Sequence, residues 1–494
     1  MFPQKCYFLV TTLFVLAVAV VAAVPAVAQT TWTGAADNTT WNNAGNWSSG
    51  ALPASTDDIV FDATGSYNDG GADGDVDIAI GAAFTINSLN ISGDLGSASG
   101  VTQSDANETH NLLDGGAGAG PLTIDGADGS GFSINYVAPA SPGTSVASRN
   151  HNVRFNAPIV FTVLNPIISR SGDDSSAKQL IFNRNVTAAD QVMTLSNTSS
   201  NINDAIRFDN NSTTTWASTL ITQGAVRSNG GTGVTNTTLG VDGSTVTTAS
   251  VGNTSVSSDP GDGGTHNNFN NWVLGTAGWT EFSAFGGTAT TETFNINGNI
   301  TGGAANVDFD LDSGNNDLLV FTAASTIDVL SRLNVEGVPS DQTGSRITFD
   351  GTIIQAAGGV VFASDVDRTV NGSGTIHFDL DKDITSGATN YNNLAWDVRT
   401  NFEIDGFTVD FNLTNGSLTA AEYVLVDYGL GATPTGSLAG TTAFASVIDL
   451  PTGYFLDYTT NSQIRLVVIP EPSFLGMLGI GCVGLAARRH RRRT

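Results

Sequence analysis

The side chains that could perform acid–base or nucleophilic chemistry are few in this chain. Between its two ends the sequence holds four histidines, which are His110, His151, His266 and His377. A histidine base needs a nucleophile beside it, and no Gly-x-Ser-x-Gly or His-Glu-x-x-His motif contains any of the four. His110 and His266 fall in Asn- and Gly-rich stretches that predict turns. His151 precedes a predicted strand, and His377 alternates outward between two apolar residues. We therefore interpret all four as surface residues.

The acidic side chains offer a cation site more readily than a catalytic pair. Asp310, Asp312 and Asp317, together with Asp308, lie within ten residues. Carboxylate oxygens suit Ca²⁺, although the spacing lacks the loop length and the twelfth-position Glu of an EF-hand. These aspartates are weak calcium candidates, and no other cofactor is expected. A hydrolase would need two carboxylates that face each other, which a sequence this rich in acids cannot identify.

The charge balance excludes one class of partner. Residues 29–469 carry 13 Lys and Arg against 45 Asp and Glu, a net charge of −32. Such a field repels phosphate backbones, so a nucleic-acid partner is excluded. The same shortage of basic residues leaves little with which to bind and deprotonate a uronate polymer. A non-enzymatic protein is therefore the preferred interpretation, and a polysaccharide-degrading β-helix enzyme is the alternative.

The elements that would hold these side chains are strands. Apolar residues alternate with Asn, Asp or Thr in many short runs, the pattern of half-buried strands, and Gly, Asn-Gly and Asp-Gly separate them as turn residues. The clearest runs are 84–86, 89–91, 122–124, 132–136, 294–296, 347–349, 376–380 and 402–413. The sequence predicts an all-β protein.

Two architectures fit such short strands: a right-handed parallel β-helix, or solenoid, and a row of tandem β-sandwiches. The strands are short for sandwich sheets, and no Pro-rich linker marks a domain boundary. Few long charged side chains intervene, so successive coils could approach closely and Asn and Thr could form ladders along them. We prefer the solenoid, over residues 69–400. Residues 401–468 hold the longest aromatic-rich runs and predict a closing β-module.

The N-terminal residues 1–28 predict a secretory signal peptide. Lys5 supplies a positive charge, residues 8–24 are largely apolar, and Ala26-Val27-Ala28 is a small-x-small cleavage site, with cleavage expected after Ala28. Of the two cysteines, Cys6 lies in this segment and Cys482 lies near the other end. The exported portion would therefore hold no disulfide and would depend on burial and backbone pairing.

The C-terminal residues 469–494 combine three features in order. Pro470-Glu471-Pro472 forces an extended segment, and an apolar run follows at 474–487. Fourteen helical residues span about 21 Å, which is short for a permanent anchor and enough for a transient transmembrane helix. An arginine cluster that would stay cytoplasmic under the positive-inside rule ends the tail. Its members are Arg488, Arg489, Arg491, Arg492 and Arg493.

This tail resembles the PEP-CTERM sorting signal of Gram-negative bacteria. The resemblance implies processing near Pro470, Glu471 and Pro472 by an exosortase, a membrane-embedded enzyme similar to a transpeptidase. It also implies a membrane-anchored precursor that is moved to the cell surface or the extracellular matrix.

The segment 29–68 carries a second resemblance. Trp32-Thr33-Gly34, Trp41, Asn46-Trp47, Gly50, Pro53 and an Asp before an apolar strand resemble the tryptophan-rich opening module of autotransporter-associated β-strand-repeat proteins. This resemblance implies an exported β-solenoid. Three large aromatic residues could cover the open end of its first coil. Together these observations predict an exported, non-enzymatic surface or matrix protein that contacts exopolysaccharide in adhesion or biofilm formation.

Overall fold

A computed structural model of the 494-residue chain gives the fold. The residues that the structure describes are 28–67, 76–93, 95, 107–114, 120–139, 150–172, 178–199, 204–209, 212–228, 233–248, 254–258, 264–276, 279–285, 292–302, 306–312, 317–329, 333–335, 346–354, 360–362, 369–380, 396–398, 401–413, 418, 422–427, 437–439, 443–459 and 463–469. The chain divides into two compact units, Met1–Ile206 (unit 1) and Arg207–Thr494 (unit 2). This boundary falls inside the predicted 69–400 solenoid, where no change of composition indicates it.

Among the described residues of unit 1 the regular elements are strands, apart from a short 3-10 helix at Ala44–Asn46. Its strands are β1 (Ala28–Thr31), β2 (Asp57–Phe61), β3 (Val76–Ala79), β4 (Phe84–Ile86), β5 (Ser88–Ser92), β6 (Asn107–Asp114), β7 (Leu122–Ile124), β8 (Ile134–Ala138), β9 (Asn150–Phe155), β10 (Ile159–Phe161), β11 (Ile167–Gly172), β12 (Leu180–Phe182) and β13 (Val186–Asn197). The next strand, β14 (Ala205–Phe208), runs across the unit boundary.

Unit 2 contains a longer series of the same kind. Its strands are β15 (Thr214–Ser228), β16 (Gly233–Asn236), β17 (Thr245–Thr248), β18 (Thr254–Ser258), β19 (Gly264–Asn268), β20 (Asn271–Leu274), β21 (Trp279–Phe285), β22 (Glu292–Ile296), β23 (Ile300–Gly302), β24 (Asn306–Asp312), β25 (Leu318–Phe321), β26 (Thr326–Val329), β27 (Leu333–Val335), β28 (Arg346–Phe349), β29 (Thr352–Ile354), β30 (Val360–Phe362), β31 (Thr369–Asn371), β32 (Thr375–Asp379), β33 (Trp396–Val398), β34 (Asn401–Glu403), β35 (Thr408–Asn412), β36 (Glu422–Asp427), β37 (Ser437–Ala439), β38 (Ser446–Ile448), β39 (Tyr454–Asp457) and β40 (Gln463–Val468).

In both units most strands pair in parallel with the strand three places later, and the long strands β13 and β15 each pair with strands of two stacks. In unit 1 this gives the stacks β2–β5–β8–β11, β3–β6–β9–β12 and β4–β7–β10–β13. In unit 2 it gives three faces, each continuous through the coils. The first face is β17–β20–β23–β26–β29–β32–β35–β38, the second is β18–β21–β24–β27–β30–β33–β36, and the third is β16–β19–β22–β25–β28–β31–β34–β37. Each turn of the chain thus contributes one strand per face. The all-β prediction is confirmed, with long parallel sheets whose pairing is consistent with a β-solenoid.

The core of unit 2 follows from the period-2 alternation of its strands. On the first face one inward residue per coil aligns with the next coil at a spacing of about 4.8 Å. The members of this column are at most 2% exposed, and they are Val246, Trp272, Ile300, Ile327, Ile353, Ile376 and Val409. Because a parallel stack superimposes equivalent positions, each apolar residue packs on the one from the coil before it.

Outward amides form the ladders that the composition predicts. In unit 1 the Asn183 side-chain NH₂ donates to Asn156 Oδ1 at 2.9 Å, and Asn156 donates to Asn111 Oδ1 at 3.1 Å. Asn111 donates in turn to Asp77 Oδ1 at 2.7 Å. In unit 2 Asn295 donates to Asn267 Oδ1 at 2.9 Å. The predicted laddering of Asn side chains is therefore confirmed.

The three tryptophans of the N-terminal segment lie together in one aromatic cluster. Trp32, Trp41 and Trp47 are each at most 2% exposed, and all three contact Phe61 with ring centroids 5.5–6.0 Å apart. Trp41 Nε1 donates to the carbonyl of Leu112 at 3.0 Å, 71 residues away, which joins the segment to a later coil. The cluster packs beside β1 and β2, and the covering of the open end of the first coil stays a prediction.

Asn46 explains why an Asn precedes the third tryptophan. Its side-chain oxygen accepts from the backbone N–H groups of Ala36, Asp37 and Asn38, at 3.0, 3.0 and 3.3 Å, and the side chain is fully buried. Its NH₂ group donates to Asp37 Oδ1 at 2.6 Å. Hydrogen bonds from Asn43, Asn46 and the Thr39–Thr40 segment lower the pKa of Asp37 well below its ordinary value. The buried amide of Asn46 and the carboxylate of Asp37, which accepts from Thr39, Thr40 and Asn43, therefore hold this loop together.

Unit 1 also contains a buried ion pair. Arg170 Nη2 lies 2.8 Å from Asp204 Oδ2, and both side chains are fully buried. The backbone N–H of Lys178 donates to Asp204 Oδ1 at 2.7 Å, and Arg170 Nε donates to the carbonyl of Lys178 at 3.1 Å. Burial raises the pKa of Asp204 in spite of the neighbouring Arg170. The pair is held by hydrogen bonds that satisfy its charges inside the protein.

At the C-terminal end the parallel stacking gives way to a hairpin. The parallel coils continue past residue 400 as far as β38. β39 and β40 then pair antiparallel, and β40 pairs antiparallel with β36. Tyr423 on β36 and Tyr454 on β39 are both buried, and their ring centroids lie 6.1 Å apart. The predicted 401–468 segment thus contains both the last parallel coils and the hairpin. Among the described residues, no helix has the length and apolar character needed to cross a membrane.

Candidate functional site

The outer side of the first face of unit 2 carries a column of hydroxyl and amide side chains. They stand beside the buried column and point to the opposite side of the sheet, because neighbouring residues of a strand alternate. In the described part of unit 2 this column, here called the hydroxyl ladder, runs through nine coils. Its members are Ser218, Thr245, Asn271, Asn299, Thr326, Thr352, Thr375, Thr408 and Ser446.

A polar groove lies beside this ladder, at the corner where the third face turns into the first. Its volume is about 370 Å³. Three successive coils line it, and we call it the corner groove. Its lining residues are Arg346, Thr348, Asp350, Asn371, Gly372, Ser373, Glu403, Asp405 and Gly406. Thr352, Thr375 and Thr408 of the hydroxyl ladder follow the corner residues by two or three positions.

Glycine makes this corner tight. Asp350, Ser373 and Asp405 each precede a glycine. A Cβ atom on Gly374 would lie 2.0 Å from the carbonyl oxygen of Gly351, and one on Gly406 would lie 2.2 Å from that of Gly372. Only glycine allows the backbones of successive coils to approach so closely. The polar residue before each glycine is thereby aligned along the corner.

Hydrogen bonds between coils orient the side chains of the groove. Thr348 Oγ1 donates to Asn371 Oδ1 at 2.8 Å, and Asn371 Nδ2 lies 3.4 Å from Glu403 Oε2. Ser373 donates to Asp350 Oδ1 twice, from its backbone N–H at 3.0 Å and from its hydroxyl at 2.9 Å. These bonds hold the side chains in one arrangement before any ligand arrives.

The groove carries more negative than positive charge. Asp350, Glu403 and Asp405 supply three carboxylates, and Arg346 supplies one guanidinium. Carboxylates accept hydrogen bonds, the guanidinium donates them, and Thr, Ser and Asn do both. The groove can therefore both donate and accept hydrogen bonds, and its excess of carboxylates disfavours a ligand that carries its own carboxylates.

A histidine–carboxylate pair lies on the same face, two residues beyond the hydroxyl ladder. His377 Nδ1 lies 3.0 Å from Asp410 Oδ2, and each side chain is 26% exposed. The two residues occupy equivalent positions of neighbouring coils, β32 and β35. The prediction that His377 points outward is confirmed. The partner is visible in the sequence only when Ile376-His377-Phe378 is aligned with Val409-Asp410-Phe411, 33 residues later.

For two of the other histidines the surface prediction is wrong. His110 lies in β6 with 2% exposure, and His266 lies in β19 and is fully buried. His151 lies within β9 and does not precede it. The surrounding Asn and Gly residues indicated turns, but in this fold short polar runs also form strands, because inter-coil pairing compensates for their low propensity. Aligning Thr265-His266-Asn267 with Thr293-Phe294-Asn295 would have placed His266 at an inward position.

Buried acidic residues accompany His266. Its Nε2 lies 3.8 Å from Glu292 Oε1, and the backbone N–H of Glu292 donates to Asp317 Oδ1 at 3.0 Å. All three residues are fully buried. Burial lowers the pKa of His266 to about 4, so the ring is neutral at pH 7. This cluster lies inside the third face and away from solvent.

The calcium candidates are divided between two faces. Asp308, Asp310 and Asp312 occupy alternate positions of β24 on the second face, whereas Asp317 directly precedes β25 on the third face and is buried. Within the described ranges, no group of three or more His, Cys, Asp or Glu side chains is arranged to hold a metal ion. A calcium site at Asp310, Asp312 and Asp317 stays a prediction.

The predicted processing residues lie mostly outside the described part of the chain. Ala28 is exposed, begins β1 and pairs with Asp57, so cleavage after it would remove one residue of that strand. Residues 1–27, Pro470, Glu471, Pro472, the apolar run 474–487 and the arginine cluster at 488–493 fall outside the described ranges.

No family model, curated protein or solved structure matches this chain in comparisons of sequence and fold.

Proposed function

We propose that this chain is an exported, non-enzymatic protein of the cell surface or extracellular matrix, and that its corner groove and hydroxyl ladder bind a polysaccharide. The repeated strand pairing supports a parallel β-helix, and a right-handed one, because nearly all parallel crossovers are right-handed. The tail that resembles a PEP-CTERM signal would deliver the precursor to an exosortase. The observation that carries the polysaccharide proposal is the hydroxyl ladder that runs beside the groove.

The geometry of the ladder suits an extended chain of sugars. Its rungs recur at about 4.8 Å, so a polymer lying along the stack meets a donor or acceptor at regular intervals. Oriented side chains in the groove reduce the ordering cost of binding. The excess of carboxylates in the groove favours a neutral or amino-bearing polymer over a uronate polymer.

Affinity electrophoresis and calorimetry of the full chain would test this proposal. We expect binding to a neutral glucan, with alginate as the acidic comparison. Asn371→Ala removes a groove donor and acceptor and should weaken binding about 2- to 10-fold, the range expected for one or two hydrogen bonds. Asn183→Ala is the matched control, because it removes a similar ladder amide in unit 1 and should leave the affinity unchanged.

Two results would contradict the proposal. If Asn371→Ala and Asn183→Ala bound the glucan with equal affinity, the corner groove would not be part of the binding site. Release of shorter oligosaccharides, measured by chromatography after long incubation, would favour the alternative of a polysaccharide-degrading enzyme. Mass spectrometry of the native surface protein tests the delivery step separately: a chain that ends near Pro470 supports exosortase processing, and a chain that retains Arg493 argues against it.

A further inference from the structure

The chain leaves the folded part of unit 2 beside a turn of the terminal hairpin. β40 ends at Val468, and the backbone N–H of Ile469 donates to the carbonyl of Gly453 at 2.7 Å. Gly453 belongs to the turn that precedes β39, where the backbone N–H of Tyr454 donates to the carbonyl of Pro451 at 3.1 Å. The last described residue is therefore fixed to the body of the unit, and the chain beyond it starts from a defined place.

Apolar side chains stand exposed around this point. Leu450 and Phe455 are each 40% exposed, and Ile469 is 52% exposed. Phe455 pairs with Val467, and Ile469 lies two residues further along, so the side chains of Phe455, Val467 and Ile469 project from one side of the hairpin, whereas Leu450 lies just before its turn. Single exposed apolar residues are ordinary, but a group of them marks a contact surface. We call Phe455, Val467 and Ile469 the exit patch, in which Val467 is half-buried.

The sequence beyond the exit patch indicates what covers it. The apolar run 474–487 begins five residues after Ile469, and five extended residues reach at most about 18 Å. If that run enters a bilayer, the exit patch is held within this distance of the hydrocarbon. The headgroup layer itself occupies several ångströms on each side of the hydrocarbon, so little space is left between the hairpin and the lipid.

We propose that the exit patch lies on the membrane in the precursor, with its apolar side chains in the headgroup region of the bilayer. This rests on the proposed function, because it requires the tail to insert. Burying several apolar side chains at an interface adds affinity to that of a short membrane segment. It would also hold Pro470-Glu471-Pro472 close to the surface where a membrane-embedded enzyme works.

Fluorescent labels on single cysteines test this in the full chain. Cys6 and Cys482 are the two cysteines of the sequence. In a background with Cys6→Ser and Cys482→Ser, Phe455→Cys places an environment-sensitive label on the exit patch. Leu164→Cys is the matched control, because Leu164 is an exposed apolar residue, 77% accessible, in unit 1. Ile469→Cys provides a second patch position. A chain with Cys6→Ser alone carries the label on Cys482, within the tail.

Each protein is reconstituted into phosphatidylcholine vesicles with and without a lipid that carries a nitroxide on its headgroup. We expect labels at 455 and 469 to shift to the blue and to lose emission to the nitroxide lipid, and the label at 164 to do neither. The proposal is overturned if neither patch label is quenched, or if the label at 164 is quenched as strongly as the patch labels. The Cys482 label reports the tail independently. If that label is quenched and the patch labels are not, the tail inserts into the bilayer but the exit patch does not lie on it.

Discussion

The buried His266 makes the stability of unit 2 depend on pH. In the unfolded chain its imidazole has an ordinary pKa of 6.5, whereas burial lowers the pKa to about 4 in the folded chain. Between these values the unfolded chain holds a proton on His266 that the folded chain does not. Acidification therefore favours unfolding: the loss begins near pH 6.5 and is complete near pH 4, and there is no such loss above pH 6.5.

The size of the effect follows from the difference between the two pKa values. Each pH unit of difference corresponds to about 1.4 kcal/mol, so the lowering from 6.5 to about 4 predicts a loss on the order of 3 kcal/mol in the free energy of unfolding. That is a large share of the stability of an ordinary domain. Because the His266 side chain is fully buried, solvent screening does not reduce this loss of unfolding free energy.

Urea unfolding of the full chain, followed by far-ultraviolet dichroism at pH 7, 6, 5 and 4, would measure it. Carboxylates also titrate in this range, so the informative quantity is the difference between the wild type and His266→Gln. Between pH 7 and pH 4 the free energy of unfolding of His266→Gln should fall by about 3 kcal/mol less than that of the wild type. His377→Gln changes a histidine on the outer surface and is the control: its free energy of unfolding should fall with pH as much as that of the wild type. Identical pH profiles for wild type and His266→Gln would refute the reasoning.

Two further predictions concern packing and charge. Ile353→Ala should lower the free energy of unfolding by about 2–5 kcal/mol, because it leaves a cavity in the inward column, whereas the outward neighbour Thr352→Ala should change it by less than about 1 kcal/mol. If chemical denaturation showed the same loss of unfolding free energy for Ile353→Ala and Thr352→Ala, the inward position of Ile353 and the outward position of Thr352 would be contradicted. Arg170→Met should cost about 3–5 kcal/mol because Asp204 stays buried without its cation, and the double change with Asp204→Asn should recover part of that loss. A double variant no more stable than Arg170→Met would show that charge is not the cause.

The tryptophan-rich segment illustrates how much could be expected before the structure was known. Large aromatic residues at Trp32, Trp41 and Trp47 indicate burial, and they are buried. The loop between them depends on Asn46, whose amide bonds with three backbone groups are a consequence of close approach in space. Spacing along the chain does not reveal such a contact.

The period-2 alternation of the sequence predicts the apolar strands and which of their side chains face inward, because alternation depends only on adjacent residues. The polar strands β6 and β19 were not predicted, because their pairing with neighbouring coils is not visible locally. The runs 347–349 and 376–380 overlap β28 and β32, and the run 402–413 overlaps β34 and β35. Which positions of neighbouring coils align depends on the three-dimensional fold, since coils of unequal length separate equivalent positions by 23 residues from Thr352 to Thr375 and by 33 from Thr375 to Thr408. The corner groove, the His377–Asp410 pair and the burial of His266 all depend on that register, which is set by inter-coil hydrogen bonding and the stacking of apolar side chains, not by any residue's own preference.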